Sequence, residues 1–373
     1  MKKLLIGLMV ILSLVFTGCS CSPVVTLSFS NAWIDGDYNQ PGTKEVLTYQ
    51  VDFVEDLIIG DYSFKSEIKD GDFTYSIGTG SYVSEIQLIS ATSSLLDGYQ
   101  SDILDEIVSG TGRKILLYQK TRLEIPFTYQ RGDSAPQTNN DFVETHTYFL
   151  ENGNAFAPIL STQESKMSIV SIVSSSLNVV VQHMKTSTVY NKNNLSSSVK
   201  VFAVESTGSY VEGDLMYQDD FNRDYSFKTV IDNSSLLFAL RSMAFNNANS
   251  SSVSVFATQY GGPRSLTIAY EKNNNTVDDF NVNLNGTAMP KEEIQLACHS
   301  FVLNSSEGCQ GNTNTGRKQL AYINTPKEDG SIYASIGSNR SIVMKYVEPL
   351  IEYGGYKTLG ALVYKLNSIS ITK

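Results

Sequence analysis

The chain has 373 residues, 41% apolar and 18% charged, with a formal net charge of −10 at pH 7. That apolar share excludes a disordered chain, and the acidic balance argues against nucleic acid and against docking on anionic lipid by charge. The length allows one large β domain or two ordinary ones.

Lys2 and Lys3 precede an apolar run, Leu4 to Phe16, followed by Thr17-Gly18-Cys19. A basic start, a short apolar stretch and small residues before a cut form a secretory signal. The run is shorter than the ~20 residues a membrane-spanning helix needs. Cysteine directly after the small pair resembles a bacterial lipoprotein signal, although Phe16 stands where leucine is usual. The resemblance implies that residues 1–18 are removed and that Cys19 carries lipid as the mature N-terminus. Several acyl chains hold where one is marginal. The expected protein is therefore exported and anchored to the cell membrane, on the extracellular face or in the periplasm. Residues 19–44, with Pro23 and Gln40-Pro41-Gly42, read as a tether, and 45–373 as a single large β-rich domain.

Strand patterns dominate that domain. Leu47, Tyr49, Val51 and Phe53 alternate with polar residues, a period of two with one buried face. Leu95 to Val108 carries apolar residues at helical spacing, with Gly110 and Gly112 as stops. Gln130–Asp141 and Asn191–Ser198 read as polar loops, and Met167–Val173 suits a helix or a strand. Val199, Val201 and Ala203 keep the strand period loosely. Leu236 to Phe245 reads as a helix in which Leu236, Leu237, Leu240, Met243 and Ala244 share a face and Asn233 or Ser234 supplies the N-cap oxygen. Phe280, Val282 and Leu284, then Leu362, Tyr364 and Leu366, repeat the strand period. Turn pairs such as Asp70-Gly71, Asn285-Gly286 and Gly354-Gly355 separate these runs. Asp61–Lys65 returns as Asp224–Lys228 and Gly80–Val83 as Gly208–Val211, but in reversed order, so this is shared strand vocabulary and not a repeat.

Three sets of residues carry a resemblance: Leu47-Thr48-Tyr49-Gln50-Val51 through Gly60-Asp61-Tyr62; Ser235-Leu236-Leu237-Phe238-Ala239-Leu240-Arg241; and Pro349, Gly354-Gly355-Tyr356 and Leu362 to Leu366. They resemble a domain family of exported bacterial proteins related to the half-barrel lipoprotein carriers of the LolA and LppX types. The match runs loosely from about residue 44 onward, and the stretch between 90 and 200 is longer than the family's pattern. It implies a mainly β fold: a curved antiparallel, half-barrel-like sheet with one or two short helices on its concave face. It carries no catalytic residues.

Cys298 and Cys309 are close enough in sequence to close one small loop, and export permits a disulfide between them. Two reduced thiols are the alternative, and Cys21 is then the odd thiol. No metal is expected. Cys298, His299 and Cys309 supply three ligands where structural zinc takes four. Asp35, Asp37 and Asn39 miss a calcium loop, because Gln40 replaces its glycine and Glu45 falls one position early. His146 and His183 read as satisfied strand histidines. Ser66-x-x-Lys69 and Ser197-x-x-Lys200 lack the helix that would put serine beside lysine, and Arg131-Gly132-Asp133 reads as a polar turn. No cofactor and no catalytic residue is expected.

The leading expectation is a non-catalytic binding protein that takes a lipid or other hydrophobic ligand on the concave face. Leu236, Leu237, Leu240, Met243 and Phe245 are its cavity residues. The alternatives are a structural or adhesive surface protein with a filled core and partner-binding edges, and, weakest, a hydrolase of envelope polymers.

Overall fold

A computed structural model describes residues 42–67, 73–90, 93–94, 116–152, 155–173, 176–191, 194–206, 210–224, 230–241, 251–257, 263–288, 292–304, 318–324, 342–351 and 358–373. The signal, residues 19–41 of the expected tether, the helical pattern at 95–108, Met243, Phe245 and Cys309 lie outside them, while Lys44 already belongs to a strand.

Strands are numbered along the chain. The alternation at 47–53 forms β1 (Lys44–Val54), with Leu47, Tyr49 and Val51 buried and Gln50 exposed. β1 pairs antiparallel with β5 (Gly80–Ile89) on one side and β21 (Thr358–Thr372) on the other. From β5 one arm runs through β6 (Leu116–Arg131), β7 (Gln137–Asn152), β8 (Ala155–Val173), β9 (Ser176–Tyr190) and β10 (Asn194–Phe202) to β11 (Leu215–Asp224). From β21 the other arm runs through β20 (Val343–Ile351), β19 (Gln319–Asn324), β18 (Glu292–Asn304), β14 (Arg264–Tyr270) and β13 (Ser251–Phe256) to β12 (Val230–Asp232). All these pairings are antiparallel except β12 with β13. β12 lies against β8 of the first arm, so the sheet curls over itself, but β11 and β12 end it without pairing to each other among the described residues. The expected curved, mostly antiparallel, unclosed sheet is the fold.

Short strands complete the longer ones. β4 (Phe73–Ile77) continues β5 along β6, and β15 (Thr276–Phe280) continues β14 along β18. β16 (Asn283–Leu284) and β17 (Thr287–Ala288) form a hairpin, with β16 parallel to the end of β21. Its turn is Asn285-Gly286, with φ of 50° and 81°, the positive-φ pair that a two-residue hairpin needs. A separate hairpin, β2 (Asp56–Ile59) and β3 (Tyr62–Lys65), packs on β21. With the core on one side and this hairpin on the other, Thr358 to Tyr364 are all buried.

Both polar loops are shorter than expected. β6 and β7 stay paired out to Tyr129 and Gln137, so the loop is only 132–136. Thr128 and Thr138 join their hydroxyls across it at 2.9 Å. A hairpin tip solvated on both faces has loop-like composition and still keeps its backbone ladder. Ser196–Ser198 likewise belong to β10, with Ser197 turned inward and buried, and Met167–Val173 is strand.

One short α-helix occurs among the described residues, α1 (Leu236–Leu240), following a single 3-10 turn, Asn233–Ser235. Asp232 caps the 3-10 turn, its carboxylate accepting from the Ser234 N–H at 3.0 Å, while α1 itself starts from Ser235, which makes no side-chain cap bond, so neither Asn233 nor Ser234 is the cap. Leu236, Phe238, Ala239 and Leu240 of α1 join the main apolar core with β1, β5, β13, β14 and β18–β21.

Candidate functional site

The two faces of the first arm differ chemically. On the inner face, Ser84, Gln119, Thr121, Thr145, Thr147, Ser161, Ser165, Thr186, Thr188 and Ser197 are buried. Strand alternation brings them together, since β7 places Thr145 and Thr147 inward and Glu144 and His146 outward. Some hydroxyls partner each other: Thr188 with Ser197 at 3.0 Å, and Thr147 with Ser161 at 3.3 Å. Others do not. Thr145 Oγ1 and Gln119 Oε1 are buried without a hydrogen-bond partner, and a native interior leaves few such atoms.

Between this wall and α1 lies a pocket of about 270 Å³. Leu236 and Leu237 of α1 form one side, and the wall opposite combines Leu123 and Val143 with Thr121, Thr145, Ser161, Gln163, Thr186 and Thr188. Tyr82, Tyr346, Glu348 and Tyr364 form the third side, and Asp232 to Ser234 the rim beside α1. The ring of Tyr364 lies 5.6 Å from Tyr82, edge-on, and 5.4 Å from Tyr346. The Tyr364 hydroxyl donates to Glu348 Oε1. Desolvation holds the Glu348 carboxyl above the usual range, against the opposing pull of the Tyr364 and Tyr346 hydroxyls. At Asp232 the oxygens accept from the Tyr190 hydroxyl at 2.6 Å and from Ser234 N–H and Oγ at 3.0 and 2.5 Å.

Of the expected cavity residues, Leu236 and Leu237 line this pocket. Leu240 is 0% exposed and packs into the core behind it. The inner wall beside α1 thus carries hydroxyls as well as apolar residues. Glu348, Tyr364 and the threonine rows were not foreseen as site residues. Their signal was the shared parity of Tyr346 and Glu348, and of Thr145 and Thr147.

A bidentate ion pair ties α1 to β1: Arg241 donates to Glu45 at 2.5 and 3.1 Å, with side chains 4% and 1% exposed. Burial disfavours the guanidinium charge, but the facing carboxylate outweighs it and holds Arg241 above its ordinary value.

The outer face of the first arm carries a groove lined by Glu144, His146, Glu164, Lys185, Lys200 and Phe202, among others. Glu144 and Glu164 are cross-strand partners, an unfavourable pairing of like charges that surrounding donors offset. Glu144 takes Arg122 at 2.7 Å, Lys120 at 3.1 Å and His146 at 2.9 Å. Glu164 takes His183 at 2.8 Å and Lys185 at 3.3 Å. Desolvation pushes the Glu144 carboxyl up, but Arg122, His146 and Lys120 together hold it down at about 2. A carboxylate so committed is poorly placed for proton transfer. His146 also bonds the Tyr118 hydroxyl at 2.6 Å, so both strand histidines are satisfied as expected.

Ser197 is buried inward while Lys200 is exposed, with Ser197 bonded to Thr188, so they form no nucleophile pair. Arg131-Gly132 does enter a turn, with Gly132 at φ 51°. Cys298 is buried on β18, its thiol pushed up to about 12 by burial despite the Tyr322 hydroxyl beside it. A thiol held protonated is a poor nucleophile.

No family model matches the sequence, and no curated protein matches it. Among solved structures, the chain is similar to the crystal structure of a beta-barrel-like protein of domain of unknown function DUF1849 from Brucella abortus. Identity is 9% and the TM-score 0.40, over 89% of this chain and 99% of that one.

Proposed function

We propose that this chain is an exported lipoprotein, held at a membrane by lipid on Cys19, whose domain binds a ligand in the pocket beneath α1. One observation carries the binding reading: an open, curled sheet encloses a pocket in which the leucines of α1 face a wall of hydroxyls interspersed with Leu123 and Val143. Ligand sites favour such concavities, where a few placed polar groups set orientation. Kinship with the half-barrel carriers belongs to the same proposal. Cell fractionation tests the anchor. The parent is expected with the membranes and Cys19→Ala in the soluble exported fraction; a cleaved Cys19→Ala protein that stays with the membranes refutes it. Native mass spectrometry of gently purified protein tests the binding, and a co-purifying small-molecule mass is the expected result.

A second reading, a structural or adhesive surface protein, is favoured by β11. Leu215, Met216 and Tyr217 at its start are 47%, 45% and 55% exposed, and among the described residues the register of β11 is with β10 alone. Exposed apolar edges of this kind invite partner strands. Bare protein throughout purification, together with concentration-dependent self-association, would favour this second reading.

A further inference from the structure

Resting on the pocket as a ligand site, we infer that it selects an uncharged, hydroxyl-rich group: a neutral sugar, either free or as the headgroup of a lipid. Thr145 is 2% exposed, lines the pocket, and its hydroxyl has no partner in the protein. A buried hydroxyl left unpaired is costly, and a wholly apolar ligand would desolvate its neighbours on the same wall as well. Serine and threonine hydroxyls both donate and accept, as sugar hydroxyls do. The row therefore matches a polyol and has no use for an acyl chain.

Charge points the same way. Among the described residues no lysine or arginine lines the pocket, while Asp232 and Glu348 do. A phosphate or carboxylate would meet two acids and no cation. The Asp232 oxygens are taken by Tyr190 and Ser234 and Glu348 accepts from Tyr364, donors that an ammonium group would have to displace. The Tyr82, Tyr346 and Tyr364 rings supply apolar faces for the C–H face of a sugar ring, with polar tips beside them. About 270 Å³ lies just below the ~300–1,000 Å³ of drug-sized sites, a headgroup's volume. The apolar side formed by Leu236 and Leu237 would take the start of any attached chain.

The test uses the full-length lipoprotein in nanodiscs. In one arm, neutral and acidic disaccharides are titrated by calorimetry. In the other, native mass spectrometry compares nanodiscs doped with diglycosyldiacylglycerol or with phosphatidylglycerol. Binding of a neutral disaccharide identifies a free sugar; retention of the glycolipid alone identifies a headgroup. Either is expected to weaken about tenfold or more in Thr145→Val, with the melting temperature unchanged or raised. Retention of phosphatidylglycerol, or binding of acidic sugars in preference to neutral ones, would overturn the sugar class and leave the pocket reading standing. Neutral-sugar binding that Thr145→Val does not weaken would place the sugar elsewhere and overturn the inference. If no probe binds and the purified protein carries nothing, both readings fall.

Discussion

His299 shows what a buried residue does to the response to pH. It lies on β18, 6% exposed, with its ring 5.3 Å from that of Tyr270, and desolvation lowers its pKa from 6.5 to about 4. Between those values the unfolded chain binds a proton that the folded chain refuses. Stability is therefore full above pH 6.5 and falls as pH drops towards 4, by about 3 kcal/mol for this residue. Denaturant titrations at pH 7 and pH 4.5 are expected to show a smaller loss in His299→Gln than in the parent. Equal losses would show that the imidazole charges in place. Sequence gave no hint of this, because Cys298-His299 looks like a ligand pair and burial depends on strands far away in the chain. The quieter reading of His146 and His183 held, since each finds a glutamate on its own or the next strand. Glu348 was missed because an acid in an alternating strand ordinarily faces water. Its burial depends on β21 bringing Tyr364 across.

At the scale of the element, α1 matters more than its five residues suggest. It cannot hold itself together, since a helix that short does not pay for its own nucleation. It is held by Leu240 in the core, by the Asp232-capped 3-10 turn that leads into it and by the Arg241–Glu45 pair. Arg241→Ala would leave the Glu45 carboxylate buried and alone, at an expected cost of about 3–5 kcal/mol. Replacing both, as Arg241→Met with Glu45→Leu, is expected to restore most of that. Chemical denaturation of the two variants decides it, and a double variant no better than the single would mean that the pair does more than neutralise itself. The leucine spacing made this helix legible from Leu236, while the expected run on to Phe245 passes beyond the described residues and the described helix ends at Leu240. The cap was misplaced because Asp232 is the last residue of β12, and strand passes into helix with no intervening loop. The long β6–β7 hairpin was illegible at its tip for a related reason: exposed Thr, Asn and Gln have a loop's composition whichever backbone they sit on.

For the molecule as a whole, sheet and curvature followed from the alternating strands, whereas the polar lining did not. In β7 both faces are polar, with Thr145 and Thr147 on one and Glu144 and His146 on the other, so periodicity alone could not say which faced inward. Only the pairing order settles it. That order hinges on β21, which pairs with β1, β20 and β16 and joins the two arms. Deleting residues 358–373 is expected to abolish cooperative thermal unfolding followed by circular dichroism. A sharp transition near the parent's temperature would show that the arms fold independently. The same junction has a geometric consequence. Lys44 and Thr372 are register partners, so the two ends of the folded domain lie about 5 Å apart. A linker of a few residues can close them into a ring, and the ring can be reopened at 132–136 without breaking a strand pairing. In that circular permutant an N-terminal tether enters at Gln137, the start of β7, about 11 residues along from Tyr148, which lies in line with Lys44, so roughly 35 Å away. Under the proposed lipid anchor, the permutant presents the opposite end of the sheet to the membrane with its pocket unaltered, so comparing its uptake of the proposed ligand with the parent's reveals whether the mouth must face the lipid.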